Sequence, residues 1–155
     1  MKITMNDKNI TKLSSTTCSY NGSIQSDEEL IIVVPAKMTL EVSGDVRAKG
    51  SIVVKGGSLH ADGNIVSNGS IVCAGELCSE NGSISAVTDI RAGELVAAER
   101  DVNCTDGDVN APAIRCDSLS CNNYDNLVRS AVLTLGSSDD DSWDEYKKMT
   151  RLLGQ

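Results

Sequence analysis

GDVRAKGSIVVKGGSLHAD (44–62), GNIVSNGSIVCAGELCSEN (63–81), GSISAVTDIRAGELVAAER (82–100) and DVNCTDGDVNAPAIRCDS (101–118) are four consecutive copies of one repeat, three of 19 residues and one of 18. Ile52, Ile71, Ile90 and Val109 fall in one column at steps of 19, and Val54, Cys73, Ala92 and Ala111 fall in a second. Val46, Ile65 and Ile84 make another column, with Val102 one residue out of step. Leu59, Leu77, Leu95 and Ile114 make a last one that drifts by a residue. Within each block a bulky aliphatic, any residue and a small residue recur three times, as in Val46-Arg47-Ala48, Ile52-Val53-Val54 and Leu59-His60-Ala61. Apolar residues two apart point to one side of an extended chain. Gly44, Gly63 and Gly82, with Gly50, Gly69 and Gly107, punctuate the units where turns are needed.

Three short strands per repeat describe one coil of a triangular, all-β parallel β-helix. A lone coil cannot bury its inward side chains. Coils stacked about 4.8 Å apart can, by laying like residue over like. Each buried aliphatic then contributes roughly 1.5–3 kcal/mol before entropy is subtracted. Val33, Leu40 and Val42 stand 19 before Ile52, Leu59 and Ala61 and predict a further coil over 25–43. Leu119 and Cys121 start another, for five to six coils in all.

The remaining segments read as caps. The expected division is N-terminal cap strands over 1–24, the β-helix over 25–121 and a helical C-terminal cap over 122–155. Leu127, Val128, Ala131, Val132 and Leu135 have helical spacing. After the break at Gly136, Ser138 and Asp141 resemble a capping box. Trp143, Tyr146 and Leu153 then line an apolar stripe, which either covers the last coil or meets a partner.

Blocks such as GDVRAKGSIVVKGG and GNIVSNGSIVCAG resemble the triangular, right-handed β-helices of bactofilins and of the C-terminal domain of the bacterial septum-site inhibitor, over residues 40–121. The resemblance implies right-handed winding and either end-to-end polymerisation or dimerisation with partner binding. It carries over no binding residue. The charged C-terminal segment departs from the bactofilin pattern and would obstruct one stacking end. The left-handed hexapeptide acyltransferases fit less well, because their small residue follows the aliphatic by four positions.

Composition narrows the function. Phe is absent and the aromatics are Tyr20, Tyr124, Trp143 and Tyr146, so the interior must be aliphatic. A net charge of −8 disfavours direct nucleic-acid binding and suits a basic protein partner. No export signal or membrane-length apolar run occurs, which points to the cytosol and to reduced thiols. Cys73, Cys104, Cys116 and Cys121 fall in the small inward position, where a free thiol acts as a small hydrophobe. Cys73 and Cys78 face opposite sides and cannot share a metal, so neither metal nor cofactor is expected; Cys18 has no place in the pattern.

His60, the one histidine, lies between inward Leu59 and Ala61 and should face solvent without a catalytic partner. The corner acids, among them Asp45 and Asp89, read as solvated turn residues. Outward residues that are not polar are more informative. Val53 and Val72, continued by Arg91, and Cys78 with Val96, are the candidate partner-binding residues, together with Trp143 and Tyr146. The expectation is a non-enzymatic, cytoplasmic, protein-binding β-helix, such as an acidic inhibitor of the toxin-immunity or anti-defence kind. The alternative is a bactofilin-like, self-assembling scaffold, and a homo-oligomer is compatible with either. A ligand-handling enzyme on the same fold would want stacked outward carboxylates, which the columns do not supply.

Overall fold

The computed structural model describes residues 1–121 and the backbone of 132–134. It is a parallel β-solenoid of about five coils, each built from three strands. The three faces are named here by the aliphatic that leads each in the first full repeat. The Ile52 face stacks strand Ile52–Ala61 on Ile71–Cys73, Ile90–Ala92 and Val109–Asn110. The Leu59 face runs from the second half of Ile52–Ala61 through Glu76–Ser79 and Leu95–Ala98 to Ala113–Arg115. The Val46 face is a separate six-stranded sheet from Ile24–Ser26 to Ser118–Ser120.

The columns led by Ile52 and by Val46 in the sequence are the hydrogen-bonded register. Ile52, Ile71, Ile90 and Val109 are successive partners, and each is at most 1% exposed. Ile24, Val46, Ile65, Ile84, Val102 and Leu119 form the ladder of the Val46 face, with the deletion before Val102 absorbed at a corner. Among the described residues no aromatic side chain belongs to the buried core, which is built of Ile, Leu and Val with Ala, Ser, Cys and Val at the face ends.

Those small positions have a second task. Ser67 Oγ donates to the carbonyl of Gly50 at 2.8 Å and accepts from the Gly69 N–H at 3.0 Å. Ser79 Oγ donates to the Gly63 carbonyl at 2.6 Å and accepts from Gly82 N–H at 3.1 Å. Cys73 Sγ donates to the Glu76 carbonyl at 3.3 Å, and Cys104 Sγ to that of Asp108 at 3.6 Å. A small side chain with a polar atom both fits the narrow corner and satisfies backbone groups that the turn would leave unpaired. Cys18 takes an inward place too: it is buried and pairs with Leu40.

Corner acids and amides are not merely solvated. Asp45 Oδ1 accepts the Asn64 N–H at 2.8 Å, and Asn64 Oδ1 accepts the Ser83 N–H at 2.8 Å, so each coil is tied to the next along one edge. At a second edge Ser51 accepts from Ser70 N–H at 3.1 Å and Asp89 from Asp108 N–H at 3.0 Å. The Asp45 and Asn64 side chains lie where a β-carbon on Gly63 or Gly82 would sit, and Ser51 and Asp89 stand likewise under Gly69 and Gly107. Glycine there keeps room for the ladder.

Three expectations are corrected. The coil over 25–43 exists, and Leu40 and Val42 pair with Leu59 and Ala61 as expected, but Val33 pairs with Lys55. Leu30 is the residue over Ile52, because the corner at Pro35–Met38 is expanded and Lys37 there adopts a left-handed backbone (φ 67°). On the Leu59 face, Leu77 pairs with Leu95's neighbour: Val96, 0% exposed, is inward and Leu95 is half-buried. The strand partner of Val96 is Ile114, so shortening one corner keeps the ladder in phase. Finally, Val132–Thr134, placed by its spacing in a helix, is a strand parallel to Ala113–Arg115. The open edge of the last coil offers hydrogen bonds that a helix would leave unmet, and two of these three residues are β-branched. The rest of the expected C-terminal cap lies outside the described residues. Within the segment expected to be N-terminal cap, Thr17–Tyr20 and Ile24–Ser26 already stack in parallel register on the next coil, and Ile10–Lys12 pairs antiparallel with Thr17–Tyr20.

Inward and outward neighbours should differ sharply in what they contribute. Ile71→Ala should lower the unfolding free energy by about 2–5 kcal/mol, as for other cavity-forming core truncations. Val72→Ala, one residue along, should cost within about 0.5–1 kcal/mol. Urea titrations of the two variants check this, and equal losses would contradict the assigned facing.

Candidate functional site

Two outward columns contain Val53, Val72, Arg91 and Cys78. On the Ile52 face, Ile31, Val53, Val72, Arg91 and Asn110 are successive register partners. Val72 is 39% exposed and Val53 half-buried, so this is a narrow aliphatic stripe ending in a cation. Ile31 extends it and was hidden from the sequence reading by the expanded corner. β-Branched residues suit an outward strand position for conformational reasons alone.

The outward column of the Leu59 face is Ser19, Glu41, His60, Cys78, Ala97 and Arg115. Val96 is absent from it, being inward, and cannot touch a partner. Cys78 does face outward but is only 8% exposed, and it stands apart from the aliphatic core that holds Cys18, Cys73, Cys104 and Cys116. Trp143 and Tyr146 lie outside the described residues.

Around Cys78 the strand alternation creates a cluster. Glu76, Cys78 and Glu80 are two apart, so all three emerge on one side, and His60 faces Cys78 from the adjoining coil. His60 Nε2 is 3.3 Å from Glu76 Oε1, and Nδ1 is 3.7 Å from Glu80 Oε1. His60, Glu76 and Cys78 each bring one potential ligand atom within 4.8 Å of the others. The longer side chains shelter the short thiol. Burial, then the charges of Glu76 and Glu80, push the Cys78 thiol up to about 12. The sequence placed His60 and Cys78 in one column, but it missed the convergence of Glu76 and Glu80 on the imidazole.

Beside the cluster, toward the N-terminus, a cleft of about 660 Å³ is lined by Thr11, Ser19, Tyr20, Asn21, Glu41, Val42, Ser43, His60, Asp62, Glu80 and Asn81. Glu41, Asp62 and Glu80 give it three carboxylates, and among the described residues no Lys or Arg lines it. The antiparallel strand Ile10–Lys12 and the corner at Asn21 form its upper wall; there Ser43 Oγ accepts the Gly22 N–H at 2.7 Å. On the opposite side of Cys78 a smaller hollow of about 290 Å³ opens over Ala97, bounded by Glu80, Glu99 and Arg115.

No protein-family model, curated protein or solved structure matches the chain. The class is therefore defined by the fold itself: a parallel β-solenoid with a 19-residue coil. Among the described residues no helix is long and apolar enough to cross a membrane.

The interior thiols give the fold an alkaline limit. Burial pushes Cys73 up to about 11 and Cys104 and Cys116 to about 12, against an ordinary 9.0. The native state thus holds protons that the unfolded chain releases above pH 9. Stability contributed by these thiols is full below that value and is lost as pH rises through about 9 to 12. Thermal melts should fall over this window, and a Cys104→Ala, Cys116→Ala variant should fall less steeply. Identical slopes would contradict the assignment.

Proposed function

We propose that the chain is a non-enzymatic protein-binding β-helix that presents the acidic cleft of its Leu59 face to a basic partner. The observation carrying this is the cleft's charge: three exposed carboxylates, no Lys or Arg among the described lining residues, and Tyr20 at its wall. A lysine or arginine entering it gains carboxylate contacts and an aromatic face. The net charge of −8 adds steering at longer range. Solvated carboxylates on a stiff backbone are suited to holding a cation in place. An inhibitor that occludes a basic surface, as a toxin-immunity or anti-defence protein does, is the specific form proposed. It would act in the cytoplasm, and neither nucleic acid nor membrane is proposed as its target.

A bactofilin-like scaffold is the other reading of a stacked parallel coil. Against polymerisation through the N-terminal end stands Ile10–Lys12, which runs antiparallel to the first coil's strand and interrupts parallel stacking on that face.

A Lys/Arg-rich peptide series titrated calorimetrically tests the proposal. Binding should weaken at least about tenfold in Glu41→Gln, Asp62→Asn protein and should decline with added salt. Binding indifferent to both changes would overturn it, as would concentration-dependent filaments seen by negative-stain microscopy.

A further inference from the structure

We propose that His60, Glu76 and Cys78 form a binding site for one divalent transition-metal ion of the zinc class, with Glu80 positioning the imidazole. The inference stands apart from the acidic-cleft reading and does not require it.

The donor set is one imidazole nitrogen, one carboxylate oxygen and one thiol sulfur. Zinc and its neighbours accept that mixture, whereas calcium and magnesium demand oxygen cages. Tetrahedral coordination at about 2.0–2.3 Å places neighbouring donors roughly 3.3–3.8 Å apart. The donors here already lie within 4.8 Å, and Nε2 and the Glu76 carboxylate are 3.3 Å apart. Rotation of the partly exposed Glu76 side chain and of the thiol closes the remainder.

The framework is rigid where a metal site needs rigidity. His60 and Cys78 are register partners on adjacent coils, and Glu76 is paired into the same ladder through Leu95. Glu80 stands beside the other ring nitrogen, where zinc-bound histidines usually have an outer partner, and a small side-chain rotation would bring it within hydrogen-bond reach. With Nε2 on the ion, the ring proton resides on Nδ1, which is 3.7 Å from the Glu80 carboxylate. The hollow over Ala97 reaches Cys78, which gives an ion or a small molecule a route to the thiol side of the cluster.

An ordinary ion-pair cluster would explain His60, Glu76 and Glu80 but not the thiol at their junction. The other buried cysteines point inward: Cys73, Cys104 and Cys116 take the small place, where Cys73 and Cys104 also cap turns, and Cys18 lies over Leu40. Cys78 alone among the buried thiols is set outward, beneath polar side chains. Binding would displace the thiol proton to solvent and leave thiolate on the ion, with no redox change.

Cobalt(II) added to the reduced, chelator-treated full chain tests this. The expected result is equimolar binding, a thiolate-to-cobalt charge-transfer band in the near ultraviolet, and displacement by zinc. Cys78→Ser should abolish the band, and His60→Gln should weaken binding at least about tenfold. Glu80→Gln should keep the band while weakening affinity about 10–100-fold. Absence of the band in the native chain, or its survival in Cys78→Ser protein, would overturn the proposal. Should a variant fail to fold, the native chain still decides by its melting temperature, which saturating zinc should raise; no shift would overturn the site.

Discussion

Everything in this molecule depends on coil-to-coil register. Two sets of contacts demand the same alignment. Inside, Ile52, Ile71, Ile90 and Val109 lie over one another; at the corner, Asp45 and Asn64 each accept a backbone N–H from the coil above. A slip of one residue would turn the aliphatics outward and strand the corner N–H groups together. Mutual support between packing and polar satisfaction lets a chain without phenylalanine specify one structure.

The same register builds the surface. His60 and Cys78 are 18 residues apart in sequence and meet because the leucines preceding them, Leu59 and Leu77, are partners. Glu76 joins them by alternation along the strand Glu76–Ser79, and Glu80 from the bend that follows it. The cleft has a similar origin: Glu41, Asp62 and Glu80 come from three successive coils and gather along one edge. Chemistry on a solenoid is thus written across coils as well as along them, and reads as scattered positions along the chain.

Most of the architecture was legible because each repeat unit states its facing twice, by a bulky residue and a small one. The misreadings occurred where one statement was weak. In Glu94-Leu95-Val96-Ala97-Ala98 both Leu95 and Val96 could lead the unit; the pair Val96 and Ala98 wins because its spacing to Leu77 and Ser79 is kept. In Leu30–Val42 an unbroken aliphatic run hid the phase until the corner at Pro35–Met38 fixed it. Val132–Thr134 carries an apolar spacing compatible with a helix, and its strand conformation follows from the open edge it joins, which local sequence does not encode. For the site, the shared column of His60 and Cys78 was readable, whereas the approach of two glutamates to the imidazole depends on side-chain reach across coils.

The central claim is that successive coils advance by one strand spacing in fixed register. Pulsed electron-paramagnetic-resonance distances would test it most directly, using noncanonical spin labels at outward positions of the Val46 face. Pairing Gln25 with Ser85, Asn103 and Ser120 in turn should give narrow distributions near 14, 19 and 24 Å, rising by about 4.8 Å per coil. Distances that fail to climb in equal steps, or that spread broadly, would contradict the stacked-coil account.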